Sequence, residues 1–221
     1  IDVGGYSSRP DAAEVSETEE MQRLEMALQP LLQHYPDVVV SVDTFRSSVA
    51  RQCVEKYGVA MINDISGGEL DERMFDTVAQ LRVPYIMMHM RGTPQTMQQQ
   101  TDYEDVTADL LKYFSQKLER LFRLGVNDVI LDPGFGFSKT LTQNYELMRH
   151  LGDFRIFGLP LLVGVSRKSM IYKLLETTPE ESLNGTTVLH TYALLQGADI
   201  LRVHDVRAAK EAIRIVQQLK G

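Results

Sequence analysis

Cysteine is almost absent from this sequence, in which Cys53 is the single one among 221 residues. One thiol cannot form an internal disulfide, which is typical of a reducing compartment, so we expect a cytoplasmic protein. No apolar run approaches the roughly 20 residues that a membrane-spanning helix requires. No charged-then-apolar leader opens the sequence either, so neither a membrane protein nor a secreted one is indicated.

An excess of positive charge is also lacking, because the formal net charge is −7. A uniformly acidic chain binds nucleic acid poorly, since phosphate contacts supply most of that affinity. No His, Cys or Asp cluster has zinc-ligand spacing. Residues 133–140 (PGFGFSKT) lack the Gly-Lys-Thr adjacency of a Walker A loop and predict instead a glycine loop that a ligand can approach closely.

Short apolar runs alternate along the chain with stretches of helical spacing. The apolar runs lie at residues 38–42, 59–62, 83–88, 129–131, 159–165 and 200–203. Helical spacing covers residues 16–34, 45–57, 69–81, 102–124, 141–151, 183–196 and 206–219. This alternation predicts a parallel sheet covered on both faces. No linker or low-complexity tract interrupts it, so we predict a single domain over residues 1–221.

Polar side chains follow each predicted strand, including the strand that opens the sequence at Ile1. Seven strand ends then present polar groups to one face, which is typical of the catalytic face of a (β/α)8 barrel. An open doubly wound sheet would gather them at one switch point instead. We therefore predict an α/β protein with the TIM-barrel fold. Seven βα units are visible, and we expect that the first βα unit is absent from this sequence.

Asp43, Asn63 and Asp132 are the first candidate site residues. Each comes directly after an apolar strand, so its side chain can reach the barrel mouth. Two carboxylates and an amide suit a flat heterocycle rich in N–H donors and carbonyl acceptors. Any one of them alone is equally compatible with a helix N-cap. For three at successive strand ends, a ligand site is the better interpretation.

Basic side chains follow other strands. Residues 166–169 (SRKS) place an Arg-Lys pair before a predicted helix, whose N-terminus adds to a positive field; the alternative is a solvated basic turn. Arg202 and His204 lie two positions apart, so their side chains point the same way. Arg9 ends the first strand, which neighbours the last strand in a barrel. These three cations predict a pyrophosphate site.

Seven motifs together resemble dihydropteroate synthase, and they occur in the family's order along the whole chain. They are residues 2–10 (DVGGYSSRP), 41–44 (SVDT), 62–65 (INDI), 88–94 (MHMRGTP), 130–137 (ILDPGFGF), 166–169 (SRKS) and 202–206 (RVHDV). The resemblance implies a transferase of folate biosynthesis. In that reaction the aniline nitrogen of p-aminobenzoate attacks 6-hydroxymethyl-7,8-dihydropterin pyrophosphate, giving 7,8-dihydropteroate and pyrophosphate, with Mg2+ as cofactor.

The resemblance also implies roles for single residues. The pterin contacts would be Asp43, Asn63, Met88, Asp132, Lys168 and Arg202. The pyrophosphate contacts would be Arg9, Arg202 and His204. The p-aminobenzoate pocket, for which sulfonamide inhibitors compete, would comprise Ser8, Pro10, Phe137 and Ser169. Catalysis would rest on Asp43, Asp132, Lys168 and Arg202.

The sequence departs from the family pattern in two places. Family members usually have Gly after the Ser/Thr-Arg-Pro of the second loop, where this chain has Asp11. The family's first strand, with an Asn that helps to hold Mg2+, would precede Ile1, so no metal ligand is expected in this chain. The expected partners are the small-molecule substrates, sulfonamides and a second copy in a homodimer, with no nucleic acid and no membrane.

Two other classes of function stay open at this point. A pterin-binding, methyltetrahydrofolate-dependent corrinoid methyltransferase would share the Asp and Asn contacts but needs neither a pyrophosphate site nor a p-aminobenzoate pocket. A non-catalytic interaction domain would need no polar strand ends. Residues 166–169 and 202–204 therefore favour the synthase.

Overall fold

A computed structural model describes residues 1–8 and 12–220 of the chain. The strands are β1 (Asp2–Gly4), β2 (Ser41–Asp43), β3 (Met61–Asp64), β4 (Tyr85–Met88), β5 (Val129–Asp132), β6 (Leu162–Val163) and β7 (Ile200–Leu201). The helices are α1 (Glu17–His34), α2 (Ser47–Tyr57), α3 (Met74–Leu81), α4 (Val106–Arg123), α5 (Leu141–Arg149), α6 (Ser169–Tyr172), α7 (Leu183–Leu195) and α8 (Val206–Lys220). Short 3-10 helices lie at Met97–Gln99 and Leu151–Phe157.

Helix starts follow local hydrogen-bonding chemistry. At the start of α1, Ser16 accepts a hydrogen bond from the N–H of Glu19 at 3.2 Å, as the capping pattern predicts. α3 begins at Met74 rather than at residue 69. The reason is that Asp71 accepts from the N–H of Arg73 and of a residue on α2, which holds the preceding segment in turns.

Every strand lies beside the one that precedes it in sequence, and all pairs are parallel. β1 to β5 form one ladder in chain order, and β6 pairs with β7. A parallel bridge between Leu131 and Leu161 joins the two ladders. An order without reversal is that of a barrel and excludes the doubly wound sheet.

β1 and β7 approach each other at the two ends of this order, although no ladder joins them in the described part of the chain. Arg202, directly after β7, donates from Nε to a carboxylate oxygen of Asp2 on β1 at 2.6 Å. The seven strands therefore curve through most of a closed circle. No helix among the described residues is long and apolar enough to cross a membrane.

Successive residues of each strand point to opposite sides, which divides the core into two layers. Outward-facing side chains pack under the helices in the main core, among them Val42, Ile62, Met87 and Leu131. Inward-facing side chains form a smaller core within the barrel, made of Met61, Ile86, Ile130 and Leu162. The inner series continues to the carboxyl end of the strands, where it becomes polar.

Candidate active site

Strand register places four of the predicted site residues, in two neighbouring pairs, at the carboxyl end of the barrel. Asp43 pairs with Asn63 across β2 and β3, and Met88 pairs with Asp132 across β4 and β5. Each follows an outward-facing residue, so its own side chain points into the barrel. Asn63, Met88 and Asp132 are buried, and Asp43 keeps a side-chain exposure of 19%. The four side chains therefore share one mouth.

Arg202 joins this group from the last strand through Asp2. Its Nε donates to Asp2 at 2.6 Å, and its Nη2 lies 3.6 Å from Oδ2 of Asp43. Asp2 also accepts from Ser41 Oγ at 2.6 Å and from Nδ2 of Asn63 at 3.0 Å. Because the amide nitrogen of Asn63 is engaged in this way, its Oδ1 is left to accept from a ligand.

Asp2 is a site residue that the sequence did not indicate. Its hydrogen-bond partners lie 39, 61 and 200 positions away along the chain, so only the fold brings them together. The available signal was an acidic residue at the start of an otherwise apolar strand, which needs a buried partner.

The charges of this group shift one another's pKa values. Burial first, and then the charge of Asp2, raises the pKa of Asp43 to about 7 against the opposing charge of Arg202. Burial by itself would lower the pKa of Arg202, but Asp2 and Asp43 raise it above its usual value. Near neutral pH, Asp43 therefore gains and loses its proton readily while Arg202 stays charged.

The glycine loop after β5 holds Asp132 and Lys168 in place. Oδ1 of Asp132 accepts from the N–H of Gly134 at 2.8 Å, which leaves Oδ2 for a ligand. Lys168 Nζ donates to the carbonyl of Phe135 at 2.6 Å and lies 4.7 Å from the centre of the Phe137 ring. Burial raises the pKa of Asp132, against the opposing charge of Lys168. Burial also lowers the pKa of Lys168 to about 8, while Asp132 acts in the opposite direction.

The Arg-Lys pair after β6 is divided between two tasks. Arg167 donates to both carboxylate oxygens of Asp205, at 2.8 and 3.0 Å, and to the carbonyl of Pro179 at 2.9 Å. It braces the loops around the mouth, so of the two cations only Lys168 faces the candidate site. The helix that follows, α6, is a single turn beginning at Ser169, and it contributes a weaker field than a long helix would.

The residues predicted for the second pocket are described only in part. Ser8, Phe137 and Ser169 are half-buried in the segments that follow β1, β5 and β6. His204 is exposed, and its main-chain N–H donates to Ser166 Oγ at 3.2 Å. Two predicted residues lie outside the described part of the chain, namely Arg9 and Pro10.

The segment after β4 crosses the mouth, which the sequence did not indicate because this stretch has no periodicity. Gln95 Nε2 donates to Tyr6 Oη at 3.0 Å, and Gln98 Nε2 donates to the carbonyl of Gly136 at 3.2 Å. Met97 of this segment belongs to an apolar cluster with Ile65, Met88 and Met90, against which Phe45, Leu70 and Phe137 pack. The mouth thus has an apolar wall beside its polar floor, as a flat ring would require.

Known proteins are similar to this chain over most of its length. The chain matches the family described as "Pterin binding enzyme" over residues 1–204. It is 44% identical over 219 residues to the dihydropteroate synthase of Escherichia coli (strain K12), which covers 98% of this chain and 77% of that protein.

Two solved structures are similar over nearly the whole chain. The Yersinia pestis dihydropteroate synthase with a sulfonamide drug complex has a TM-score of 0.94 and 41% identity, covering 100% of this chain and 80% of that one. The Thermus thermophilus dihydropteroate synthase in complex with 4-aminobenzoate has a TM-score of 0.92 and 38% identity, covering 99% and 83%. These similarities confirm the predicted fold class and the predicted resemblance.

Proposed function

The chain belongs to the dihydropteroate synthase family of pterin-binding enzymes, and on this premise we propose how its side chains carry out the reaction. It is a transferase of folate biosynthesis that joins 6-hydroxymethyl-7,8-dihydropterin pyrophosphate to p-aminobenzoate and releases pyrophosphate. The predicted synthase function is thus confirmed, and the two alternatives, a corrinoid methyltransferase and a non-catalytic interaction domain, are not supported.

The observation that carries the proposed roles is the convergence of two carboxylates and an amide on one mouth. Asp43, Asn63 and Asp132 lie at the carboxyl ends of β2, β3 and β5, and each has an oxygen left for a ligand. A pterin edge presents amino and ring N–H groups, which carboxylates accept as charge-assisted hydrogen bonds. Lys168 can donate to a ring carbonyl or nitrogen, and Met88 belongs to the apolar wall.

The reaction breaks the bond between the pterin methylene carbon and the pyrophosphate oxygen, and forms a bond from that carbon to the aniline nitrogen. The electron pair of the broken bond leaves with pyrophosphate, and the new ammonium then releases its proton. An aniline nitrogen is already unprotonated near neutral pH, so no general base is required. Asp43 and Asp132 favour positive charge on the ring, and Arg202, with His204 and Arg9, favours the departing anion.

For the second substrate we propose a pocket formed by Ser8, Pro10, Phe137 and Ser169. The support is the position of Ser169 directly after Lys168, which puts a hydroxyl donor beside the pterin site. A hydroxyl and a main-chain N–H at a helix start suit a carboxylate. A sulfonamide should therefore compete with p-aminobenzoate and not with the pterin pyrophosphate.

We propose Mg2+ as the cofactor, held chiefly by the pyrophosphate of the substrate. Within residues 1–8 and 12–220, no group of three or more His, Cys, Asp or Glu side chains is arranged to hold a metal ion. Mg2+ usually keeps several waters and binds through one or two carboxylates with substrate phosphates, so it does not need such a cluster. When bound, it supplies positive charge to the leaving group. Calorimetry should show tighter pyrophosphate binding with Mg2+ than with EDTA.

We further propose a homodimer and a cytoplasmic location. α7 exposes Val188, Tyr192 and Leu195 at helical spacing, and an exposed apolar stripe of this kind is typical of an interaction site. Val188→Lys should shift the mass measured by analytical ultracentrifugation from dimer to monomer. The single thiol, Cys53, is buried, which suits a reducing compartment.

Paired substitutions test the proposed roles. Arg202→Ala should weaken binding of the pterin pyrophosphate and slow turnover, whereas Ser169→Ala should mainly raise the KM for p-aminobenzoate. Arg207→Ala is the matched control, because Arg207 is 95% exposed on α8 and pairs with Glu211 in the next turn of that helix. Pyrophosphate should be released only when both substrates are present. If both site variants shift the KM of the same substrate, the division into two pockets is wrong.

A further inference from the structure

Lys139 carries a buried amine that none of the proposed roles uses, and burial lowers the pKa of this amine well below its usual value. Its residue exposure is 3%, and its Nζ lies 3.1 Å from Nδ1 of His89, 3.0 Å from the carbonyl of Gly134 and 2.9 Å from the carbonyl of Phe137. Burying an amine costs free energy unless it is fully hydrogen-bonded. Three partners at these distances satisfy the whole group, so the structure around Lys139 is built to hold it.

The partners of Lys139 connect it to both pockets. Gly134 accepts from Lys139 through its carbonyl and donates through its N–H to Oδ1 of Asp132 at 2.8 Å. Phe137 accepts from Lys139 through its carbonyl, while its ring lies 4.7 Å from Lys168 Nζ. Lys139 therefore bonds to both ends of one loop. One end holds Asp132, a proposed pterin contact, and the other carries Phe137, a proposed p-aminobenzoate contact.

His89 fixes the other side of this arrangement. It is 2% exposed at the end of β4, and its main-chain N–H donates to the carbonyl of Asp132 at 3.0 Å. Its ring packs edge to face on the ring of Tyr113, with 4.7 Å between the ring centres. Burial, and then the charge of Lys139, lowers the pKa of His89 well below its usual value, so the imidazole is neutral. An ammonium can donate to Nδ1, and a neutral amine can accept from an Nδ1–H, so both protonation states of Lys139 keep the bond.

The loop after β5 packs closely against the main chain at the end of β4. A Cβ on Gly134, which has φ +70°, would lie 2.1 Å from the carbonyl oxygen of His89. The glycine thus lets the loop lie directly on the end of β4, where Lys139 can reach His89.

We propose that Lys139 and His89 form a buried positioning pair that fixes Asp132 and Phe137 together, and so sets the spacing between the pterin pocket and the p-aminobenzoate pocket. The proposal rests on the assignment of these two pockets above. Neither residue of the pair is among the proposed substrate contacts. Loss of the pair would free both arms of one loop, so it should weaken the binding of both substrates, unlike a change in either pocket.

Steady-state kinetics of Lys139→Met in the full chain tests this directly. Met has a similar length but no donor, so we expect the KM of both substrates to rise roughly tenfold, the effect of losing one to two buried hydrogen bonds. His89→Asn keeps an amide group near the position of Nδ1 and should stay close to the parent in both KM values. His89→Leu removes that group and should resemble Lys139→Met.

A matched control removes a hydrogen bond on the outer side of the barrel. Tyr57→Phe deletes the bond from Tyr57 Oη to Glu25, 2.7 Å long between α2 and α1, and should leave both KM values unchanged. Circular dichroism establishes that each variant is folded at the assay temperature. If Lys139→Met does not fold, the comparison of His89→Asn with His89→Leu decides the question.

The outcomes separate this inference from the proposed function. If Ser169→Ala and Asp132→Asn each affect the substrate assigned to them, the two pockets stand. With the pockets intact, a Lys139→Met protein that loses thermal stability but keeps both KM values would reduce Lys139 to a structural role and overturn the proposal. So would a His89→Asn protein no better than His89→Leu. Failure of the Ser169 and Asp132 variants would instead reject the pocket assignment itself.

Discussion

Asp132→Asn is the substitution that tests the pterin site most directly. The residue is 7% exposed, and its Oδ1 is already held by the N–H of Gly134 at 2.8 Å. An Asn at this position can keep that bond through its own Oδ1. Its Nδ2 then replaces the free carboxylate oxygen, so a donor faces the N–H donors of the pterin edge. The substitution thus changes the chemistry of one atom and leaves the loop in place.

The expected magnitude follows from this single change. A buried donor or acceptor left without a partner costs about 1–3 kcal/mol, and more when a charge is involved. Since ~1.4 kcal/mol is a factor of ten, the affinity for the pterin should fall roughly tenfold or more. Turnover should fall further, because the lost negative charge also favours the cationic pterin during bond cleavage.

Calorimetric titration with 6-hydroxymethylpterin, which cannot react, measures the first effect, and pyrophosphate release measures the second. Asp128→Asn is the matched control, because Asp128 is exposed just before the same strand, at the opposite end of the barrel. Circular dichroism and thermal denaturation establish that both variants are folded. Unchanged pterin binding with unchanged turnover in Asp132→Asn would show that the carboxylate only holds the turn at Gly134.

Further substitutions test separate parts of the site. Because the pKa of Asp43 is raised from 3.8 to about 7, the folded state keeps a proton that the unfolded chain has lost between these values. The free energy of unfolding should therefore fall as pH rises from about 4 to 7. Urea titrations should show a shallower fall in Asp43→Asn, and equal slopes would contradict the raised pKa. Arg167→Lys cannot make the bidentate bond to Asp205 and should lower the thermal midpoint of unfolding measurably; an unchanged thermal midpoint would show that the bond contributes nothing. Removing Mg2+ with EDTA should abolish pyrophosphate release, and activity that persists would exclude the cofactor.

The amino-acid pattern alone determined the order of elements and the position of the site. Alternating apolar runs and helical stretches dictate parallel strands with helices between them, because a strand covered on both faces must be apolar throughout. A polar residue directly after such a strand must lie at the carboxyl end of the sheet. Asp43, Asn63 and Asp132 were predicted on this basis, and they lie together at the mouth.

The first and last residues of the strands and helices were harder to predict from the sequence. The apolar run at residues 159–165 contains a strand of two residues, Leu162–Val163. Hydrophobicity marks burial on both faces but not the hydrogen-bond pairing that defines a strand, and pairing depends on the neighbours.

Only the tertiary structure decided which charges meet. Asp2 bonds to partners 39, 61 and 200 positions away in sequence, and Arg167, adjacent to Lys168 in sequence, bonds to Asp205 instead of facing the site. Lys139 has no distinguishing feature in the sequence, yet it is buried against His89, 50 positions away. Charge pairing and burial depend on distance in space. The barrel brings strands from opposite ends of the chain together, and no local sequence pattern encodes that proximity. That physical difference, between local periodicity and long-range contact, separates what the sequence determined from what the fold decided.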